Sequence, residues 1–296
     1  MIHRYTIDEF VKSLNVNIPD DAKFLKLRKE VSPYQSPIPI RYAYERGMLF
    51  YSLIAKFKPK KILEIGTLHG FSALCMAWAA TDYNIDATIY TIEPDSLDKK
   101  IKFTDENGHS TLLSTKDNWK RIAPSSWISK IKPIQGFSTE VLRTYQFPKI
   151  EFVLMEGSQH YIAAKADFYS LLKWLDDDFR ILIASYTPQE KEHVTQFIDE
   201  EIVPNFDVNL IETNFREYQN LFHNSNPTNN YQALCFIENS KCKNPISKAF
   251  PHKTVSELLA QDKKLLKRWK LRRKLNQRIP LFNKIKFSIF KFRFQF

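Results

Sequence analysis

From about Lys60 onward, short β-branched runs alternate with longer stretches whose apolar residues recur at helical spacing, the pattern of βαβ units winding a parallel sheet. The first run is Lys61-Ile-Leu-Glu-Ile65, followed by a helix-like stretch over Ser72–Ala80. Further strands are expected at Ala87–Glu93, Ile131–Gln135, Glu151–Met155 and Phe179–Ala184. Between the last two lies a helix with Ala164, Phe168, Leu171, Leu172 and Leu175 at its apolar positions. After Pro188 a charged helix runs to about Val203. Two last strands, Val208–Thr213 and Gln232–Ile237, flank an Asn-rich loop carrying Pro227 and read as an antiparallel edge hairpin. Residues 1–55, broken by Pro33, Pro37 and Pro39, read as N-terminal helical cover. The expected fold class is α/β, Rossmann-like and doubly wound. It places a mostly parallel seven-stranded sheet with its antiparallel edge hairpin in residues 56–240, followed by a basic, aromatic C-terminal arm over 241–296.

Composition adds limits. A chain of 296 residues can bury a full α/β core, and 43% hydrophobic with 26% charged residues reads as globular. No apolar run approaches the ~18 residues of a membrane-spanning helix. The first ten residues carry acids where a signal peptide is apolar, so a cytoplasmic location is expected. Cys75, Cys235 and Cys242 are odd in number and form no Cys-x-x-Cys pair, which points away from a disulfide framework or a zinc site.

The net charge of +11 changes meaning once it is located. Residues 253–296 hold 14 of the 44 Lys and Arg against only Glu257 and Asp262, so the rest of the chain is close to neutral. A neutral body argues against a nucleic-acid partner gripped across its face. Val255–Leu275 reads as a basic helix with Leu258, Leu259, Leu265, Leu266, Trp269 and Leu275 available to an apolar stripe. Beyond Pro280, Phe287, Ile289, Phe290, Phe292, Phe294 and Phe296 are interleaved with Lys286, Lys291 and Arg293. Bases paired with aromatics suit the anionic inner face of a membrane. Docking on a sheet edge or a second subunit, as in a homo-oligomer, ranks next, and RNA stacking third.

Only six glycines occur, against a typical share of ~7% of residues, so each marks a place where a side chain is unwelcome. Gly66 and Gly70 follow the first strand and precede a helix, Glu93 ends the second strand, and Gly136 ends the third. Such a loop lets the backbone approach a ligand at a helix N-terminus, and a strand-end acid one βα unit later suits two ribose hydroxyls. The blander reading is a tight strand-to-helix turn. Leu63-Glu-Ile-Gly-Thr-Leu-His-Gly-Phe-Ser-Ala73 resembles the first motif of class I methyltransferases, in the branch of small-molecule O-methyltransferases and cephalosporin-hydroxylase-like proteins. The resemblance spans roughly residues 35–237 and implies S-adenosylmethionine as cofactor. It implies that Gly66 and Gly70 pass under the methionine and adenosine, that Glu64 sits by the amino group, and that Glu93 holds the ribose. It also implies that Gly136 and Phe137 lie by the adenine, with Gln135-Gly-Phe-Ser138 standing where the family usually reads Gly-Asp-Ser.

The family's next motif commonly reads Asp-Gly-Asp-His-Ser-Tyr, and here it is Glu156-Gly-Ser-Gln-His-Tyr161. Glu156 keeps a carboxylate, Ser158 replaces an acid, Gln159 stands in the His position and His160 follows it. At the fifth strand Ala184-Ser-Tyr186 replaces the family's His-Asp-Tyr or acid pair. Glu156 with Ser185 is a poor oxygen set for Mg²⁺, so no catalytic metal is expected. Methyl transfer to a hydroxyl asks the protein for positioning and removal of one proton. His160 and Glu156 are the candidate catalytic residues and His69 a further candidate base. Their bland readings are a helix-flanking His160 and a His69 that merely lines the loop.

Arg41, Tyr42, Glu45 and Arg46 fall in a segment that forms part of the acceptor pocket in related enzymes; a solvated helix face is the alternative for at least two of them. The insertion from Asp95 to Lys130, with Asn107-Gly-His109, Trp119, Lys120, Arg121 and Trp127, either shapes a substrate site or adds a helix to the sheet. The implied activity is metal-independent methyl transfer to a hydroxyl of a small molecule or glycan precursor. Its rivals are a catalytically degenerate scaffold, given Phe137, Ser158 and Ser185, and an RNA methyltransferase, against which stand the neutral body and the missing Asn/Asp-Pro-Pro-Tyr/Phe motif.

Overall fold

The computed structural model describes residues 1–33, 41–104, 108–188, 193–213 and 232–250, with scattered positions between 257 and 271. The chain divides into two compact units, Met1–Phe250 and Pro251–Phe296. The basic aromatic stretch beyond 271 and the Asn-rich loop around Pro227 lie outside the described residues. The first unit runs past the boundary at 240 read from the sequence. Its last ring, Phe250, is buried against Phe168, Tyr169 and Phe206, at centroid distances of 5.0, 5.6 and 6.2 Å.

The unit is built on β1 (Ile2–Thr6), β2 (Lys61–Ile65), β3 (Thr88–Glu93), β6 (Ile131–Gln135), β7 (Ile150–Met155), β8 (Leu175–Tyr186), β9 (Val208–Glu212) and β10 (Ala233–Glu238). They form one eight-stranded sheet in the order β1-β9-β10-β8-β7-β2-β3-β6. Every pairing is parallel except those of β10, which runs against both β8 and β9. The chain leaves β2 towards β3 and β6 and returns on the other side to β7 and β8, so the winding reverses between β2 and β7. Crevices outside the carboxyl ends of strands at such a reversal are where doubly wound sheets bind ligands.

Two expectations are corrected here. β9 and β10 do pair antiparallel, but β10 lies inside the sheet, where Ala233–Ile237 are all buried, and β9 is not the edge. The edge is β1, paired in parallel with β9, so the sheet has eight strands rather than seven and residues 1–55 are not helical cover throughout. Ile2–Thr6 is almost wholly exposed, as edge strands are, and five such residues carry no burial alternation.

The cover proper is α1 (Ile7–Ser13), α2 (Asp21–Val31) and α3 (Arg41–Phe57). Helix α1 starts at a capping box, with Thr6 Oγ1 accepting from Glu9 N and Glu9 Oε2 accepting from Thr6 N at 2.8 Å. Helix α4 (Phe71–Asp82) is buried at every position from Ser72 to Ala80 because the sheet lies on one side and α2 and α3 on the other. Trp78 on α4 stacks on Trp127 at 5.0 Å and touches Phe24 at 4.7 Å and Tyr51 at 5.5 Å. The insertion after β3 forms a hairpin, β4 (Lys100–Thr104) with β5 (Ser110–Ser114), and then α5 (Thr115–Ile122) and α6 (Ser125–Ile128). Helices α7 (Ser138–Thr144) and α8 (Tyr161–Leu171) follow β6 and β7. The charged helix expected after Pro188 is present from His193 onward as α9 (Val194–Phe197), a π-turn over Ile198–Ile202, and α10 (Val203–Asn205).

Candidate functional site

Three backbone hydrogen bonds lace the carboxyl ends of the central strands. Glu156 N donates to Ile65 O at 2.9 Å, Gly66 N to Ile92 O at 3.0 Å, and Gly136 N to Glu93 O at 2.9 Å. Gly66, Glu93, Gly136 and Glu156 are thereby brought to one edge of the sheet, with Phe137 immediately after Gly136 at the head of α7.

Gly66 has φ +96°, and a Cβ there would lie 2.5 Å from the carbonyl oxygen of Glu156. Gly70 has φ +86°, and its Cβ would lie 2.3 Å from the indole of Trp119, which donates from Nε1 to His69 O at 2.8 Å. Glycine is required at both places by the chain's own close approach, as the tight-turn reading anticipated. Between them the half-exposed carboxylate of Glu93 accepts from Leu68 N at 2.8 Å and from Asp95 N at 3.3 Å, which holds it over the loop.

The resemblance implies that Glu64 sits by the cofactor's amino group. It is fully buried beneath the loop, where it accepts hydrogen bonds from the Ser72 and Thr91 hydroxyls. Burial pushes its carboxyl up to about 7, against the opposing pull of those two bonds. Glu64 ties β2, β3 and the start of α4 together.

A cleft opens at the ends of β7 and β8, lined by Met155, Glu156, Gly157, Gln159, Asp167 and Ser185, among others. Glu156 is ion-paired with Arg46 on α3, Oε1 to Nη2 at 2.7 Å. This brings Arg46 to the site; Glu45 beside it is buried, and the side chains of Arg41 and Tyr42 lie outside the described residues. His160 is the residue before α8 and makes no side-chain cap bond, and its Nδ1 is buried with no hydrogen-bond partner among the described residues. His69 is a poor base, because burial, helped by the Arg28 charge, holds its imidazole down to about 4.

Gln159 and Ser185 were named from the sequence, but the hydrogen-bonded chain they form with His193 and Thr195 was not. Gln159 Nε2 donates to Ser185 Oγ at 2.8 Å, and Gln159 Oε1 meets His193 Nε2 at 3.2 Å. On the far side of the ring, Thr195 Oγ1 lies 3.2 Å from His193 Nδ1 while accepting from Thr187 N at 2.8 Å, and Thr195 N also points at Nδ1. Nδ1 is therefore the acceptor and Nε2 carries the proton. It follows that Ser185, already accepting from Gln159, has its own O–H left to give. Ser185 sits in the left-handed region at φ +68°, uncommon for a residue with a side chain and frequent at functional sites. Such a chain, assembled from the segment before α8, the end of β8 and the start of α9, has no period or motif by which sequence reading finds it. Among the described residues no group of three or more His, Cys, Asp or Glu side chains is placed to hold a metal ion.

Residues 63–186 match a family model described as a methyltransferase domain. The match falls on the central part of the Rossmann-like, doubly wound sheet, including the reversal between β2 and β7. No curated protein matches the chain. Among solved structures, the chain is similar to the O-methyltransferase from Bacillus cereus in complex with SAH, at 15% identity over 79% of this chain and 97% of that one, with a TM-score of 0.49. It is also similar to the O-methyltransferase TomG from Streptomyces achromogenes, involved in tomaymycin synthesis and in complex with SAM, at 16% identity, 78% and 95% coverage and a TM-score of 0.48. The SAH-bound methyltransferase PaMTH1 from Podospora anserina gives 16% identity, 80% and 94% coverage and a TM-score of 0.45.

Proposed function

We propose that the chain binds S-adenosylmethionine at the carboxyl ends of β2, β3 and β6 and transfers its methyl group to a hydroxyl of a small molecule or glycan precursor. The observation that carries this reading is the meeting of Gly66, Glu93 and Gly136 along one laced edge, with Glu156 and the cleft beside them. The residues fit the cofactor. The Glu93 carboxylate is held over the loop by Leu68 N and Asp95 N, at the strand end where a carboxylate suits two ribose hydroxyls. Phe137 offers a ring for stacking in place of the family's acid. Glu64 acts from below, by fixing Ser72 and with it the N-terminus of α4.

When bound, the cofactor supplies a methyl already activated on a sulfonium. The protein's remaining duties are to hold the acceptor hydroxyl in line and to take its proton. We assign proton removal to His160, whose Nδ1 lacks a partner among the described residues, and acceptor positioning to the Ser185 hydroxyl and Glu156. A metal has no part in this scheme: Glu156 is neutralised by Arg46, and the departing group needs no Lewis acid.

Isothermal titration of the purified chain with S-adenosylhomocysteine tests the site. Micromolar binding is expected for the wild type, weakened about tenfold or more, ~1.4 kcal/mol, by Glu93→Gln. No binding by the wild type overturns the reading.

No helix among the described residues is long and apolar enough to cross a membrane. We assign the basic, aromatic residues 253–296 to an anionic membrane surface on the cytoplasmic side. Their deletion is expected to abolish co-sedimentation with vesicles containing phosphatidylserine.

A further inference from the structure

Gln159, Ser185 and Val194 line the cleft, whereas His193, at the N-cap of α9, meets that lining through Gln159. Two backbone N–H groups hold the three segments together: Val194 N donates to Gln159 O at 2.6 Å, and Thr187 N to Thr195 Oγ1 at 2.8 Å. The second bond leaves the Thr195 hydroxyl proton to face His193 Nδ1 at 3.2 Å, and Thr195 N faces the same nitrogen at 3.4 Å. Two donors on Nδ1 leave the imidazole proton on Nε2. Nε2–H can only give, so the Gln159 atom that meets it at 3.2 Å is the amide oxygen, and the amide nitrogen is turned to Ser185 Oγ at 2.8 Å. In the reverse amide orientation two donors would face each other. Each link thus fixes the next, and the last is the Ser185 hydroxyl, 5% exposed and held at φ +68°. It accepts from Gln159 and has one proton to give into the cleft.

A donor resting on the accepting hydroxyl would occupy the lone pair that attacks the methyl group, so Ser185 serves an atom beside it. We propose that His193 is a positioning residue for the methyl transfer: through Gln159 it makes the Ser185 hydroxyl a fixed donor, and the site thereby takes molecules whose accepting hydroxyl is flanked by an ether, carbonyl or carboxylate oxygen. This rests on the methyltransferase reading and adds to it the residue that orients the acceptor. An ammonium or alkyl group at that place leaves the buried Ser185 proton without a partner, which is how such a molecule is refused.

The full chain serves for the test. With ¹⁵N-labelled histidine, the NMR signal absent from His193→Gln identifies the His193 ring. A proton on Nε2 at neutral pH is expected, and a bare Nε2 overturns the proposal. The chain saturated with S-adenosylhomocysteine is then titrated with 2-methoxyphenol, whose hydroxyl is flanked by an ether oxygen, and with 2-ethylphenol, which has the same shape without it. The wild type is expected to prefer 2-methoxyphenol by about fivefold or more. The preference is expected to vanish in Ser185→Ala and in Gln159→Glu, where the carboxylate accepts the Ser185 proton for itself. Asparagine caps a helix well but is too short to reach Gln159, so His193→Asn is expected to lose the preference with the start of α9 intact. His193→Gln, whose longer amide returns an N–H to Gln159, is expected to regain at least half of it. S-adenosylhomocysteine affinity within about twofold of wild type in both His193 variants shows that they are folded. Equal or absent binding of the two probes by the loaded wild type, or a preference retained in His193→Asn, overturns the proposal alone. So does a parallel loss of S-adenosylhomocysteine affinity in both His193 variants, since His193 would then act on the cofactor. Failure of the wild type to bind S-adenosylhomocysteine overturns the cofactor reading and this proposal with it.

Discussion

Glu64 shows how much a residue's neighbours decide. In the strand Lys61–Ile65 every residue from Ile62 on is buried, since a central parallel strand has covered faces on both sides. An acid within that strand has no solvent to face, so its only partners are internal hydroxyls. With the folded carboxyl near 7 and the ordinary value near 4.5, the folded state holds the proton more tightly than the unfolded chain does. The stability tied to Glu64 is therefore complete below about pH 4.5 and is lost as pH rises through about 7. Glu64→Gln is expected to flatten the pH dependence of the melting temperature over that window, a difference of up to about 3 kcal/mol at neutral pH. Thermal melts from pH 4 to 8 check this, and an unchanged slope in the variant counts against it. His69 behaves oppositely. Its depressed imidazole stays neutral at pH 7, and acidification from its ordinary 6.5 towards about 4 costs stability. That an acid stood at position 64 and an imidazole at 69 was plain in the sequence. Their protonation was not, because it depends on Ser72, Thr91 and Arg28, which only the fold brings to them.

At the level of elements, the parallel strands β2, β3, β6, β7 and the apolar half of β8, Phe179–Ala184, could be read from the alternation of strand-like and helical stretches, whereas Leu175, read as part of the preceding helix, begins β8 behind a charged Asp176–Asp178. The hairpin β4–β5 could not: Ile101 and Phe103 alternate with Lys100 and Lys102 in the short β4, but its partner β5 is exposed over Ser110–Leu112 and shows no such period. Nor could the contact that makes Gly70 indispensable, since Trp119 on α5 lies far along the chain and reaches the loop only after the insertion has folded. Gly70→Ala is expected to destabilise the protein by about 2–4 kcal/mol, from a strained φ and a clash with an indole packed on all sides. Trp119→Phe, which only strands the His69 carbonyl, is expected to cost about 1–2 kcal/mol. Denaturant unfolding of the two variants gives the comparison, and a larger loss for Trp119→Phe would contradict the packing described for the loop.

For the molecule as a whole, the doubly wound, mostly parallel α/β class followed from the alternation of elements, whereas the order of strands and the outer part of the sheet did not. A run such as Gln232–Ile237 is compatible with an edge or an interior place, and only the full burial of β10 decides for the interior. The two compact units suggest where to cut. A chain ending at Phe250 retains the aromatic cluster around that ring, and it is expected to melt within about 2 °C of the full chain and to bind S-adenosylhomocysteine equally well. A large drop in melting temperature would show that the stability of the first unit depends on the second. The outermost strand also sets a timetable. Ile2 pairs with Val208, so during synthesis β1 waits for a partner made roughly 200 residues later. At ordinary synthesis rates that is a delay of about 10 to 40 s, and β10, which separates β9 from the rest of the sheet, arrives later still. For that time β1 is an orphan strand in a crowded cell, and its Arg, its His and its weak hydrophobicity are what keep it from pairing with a stranger.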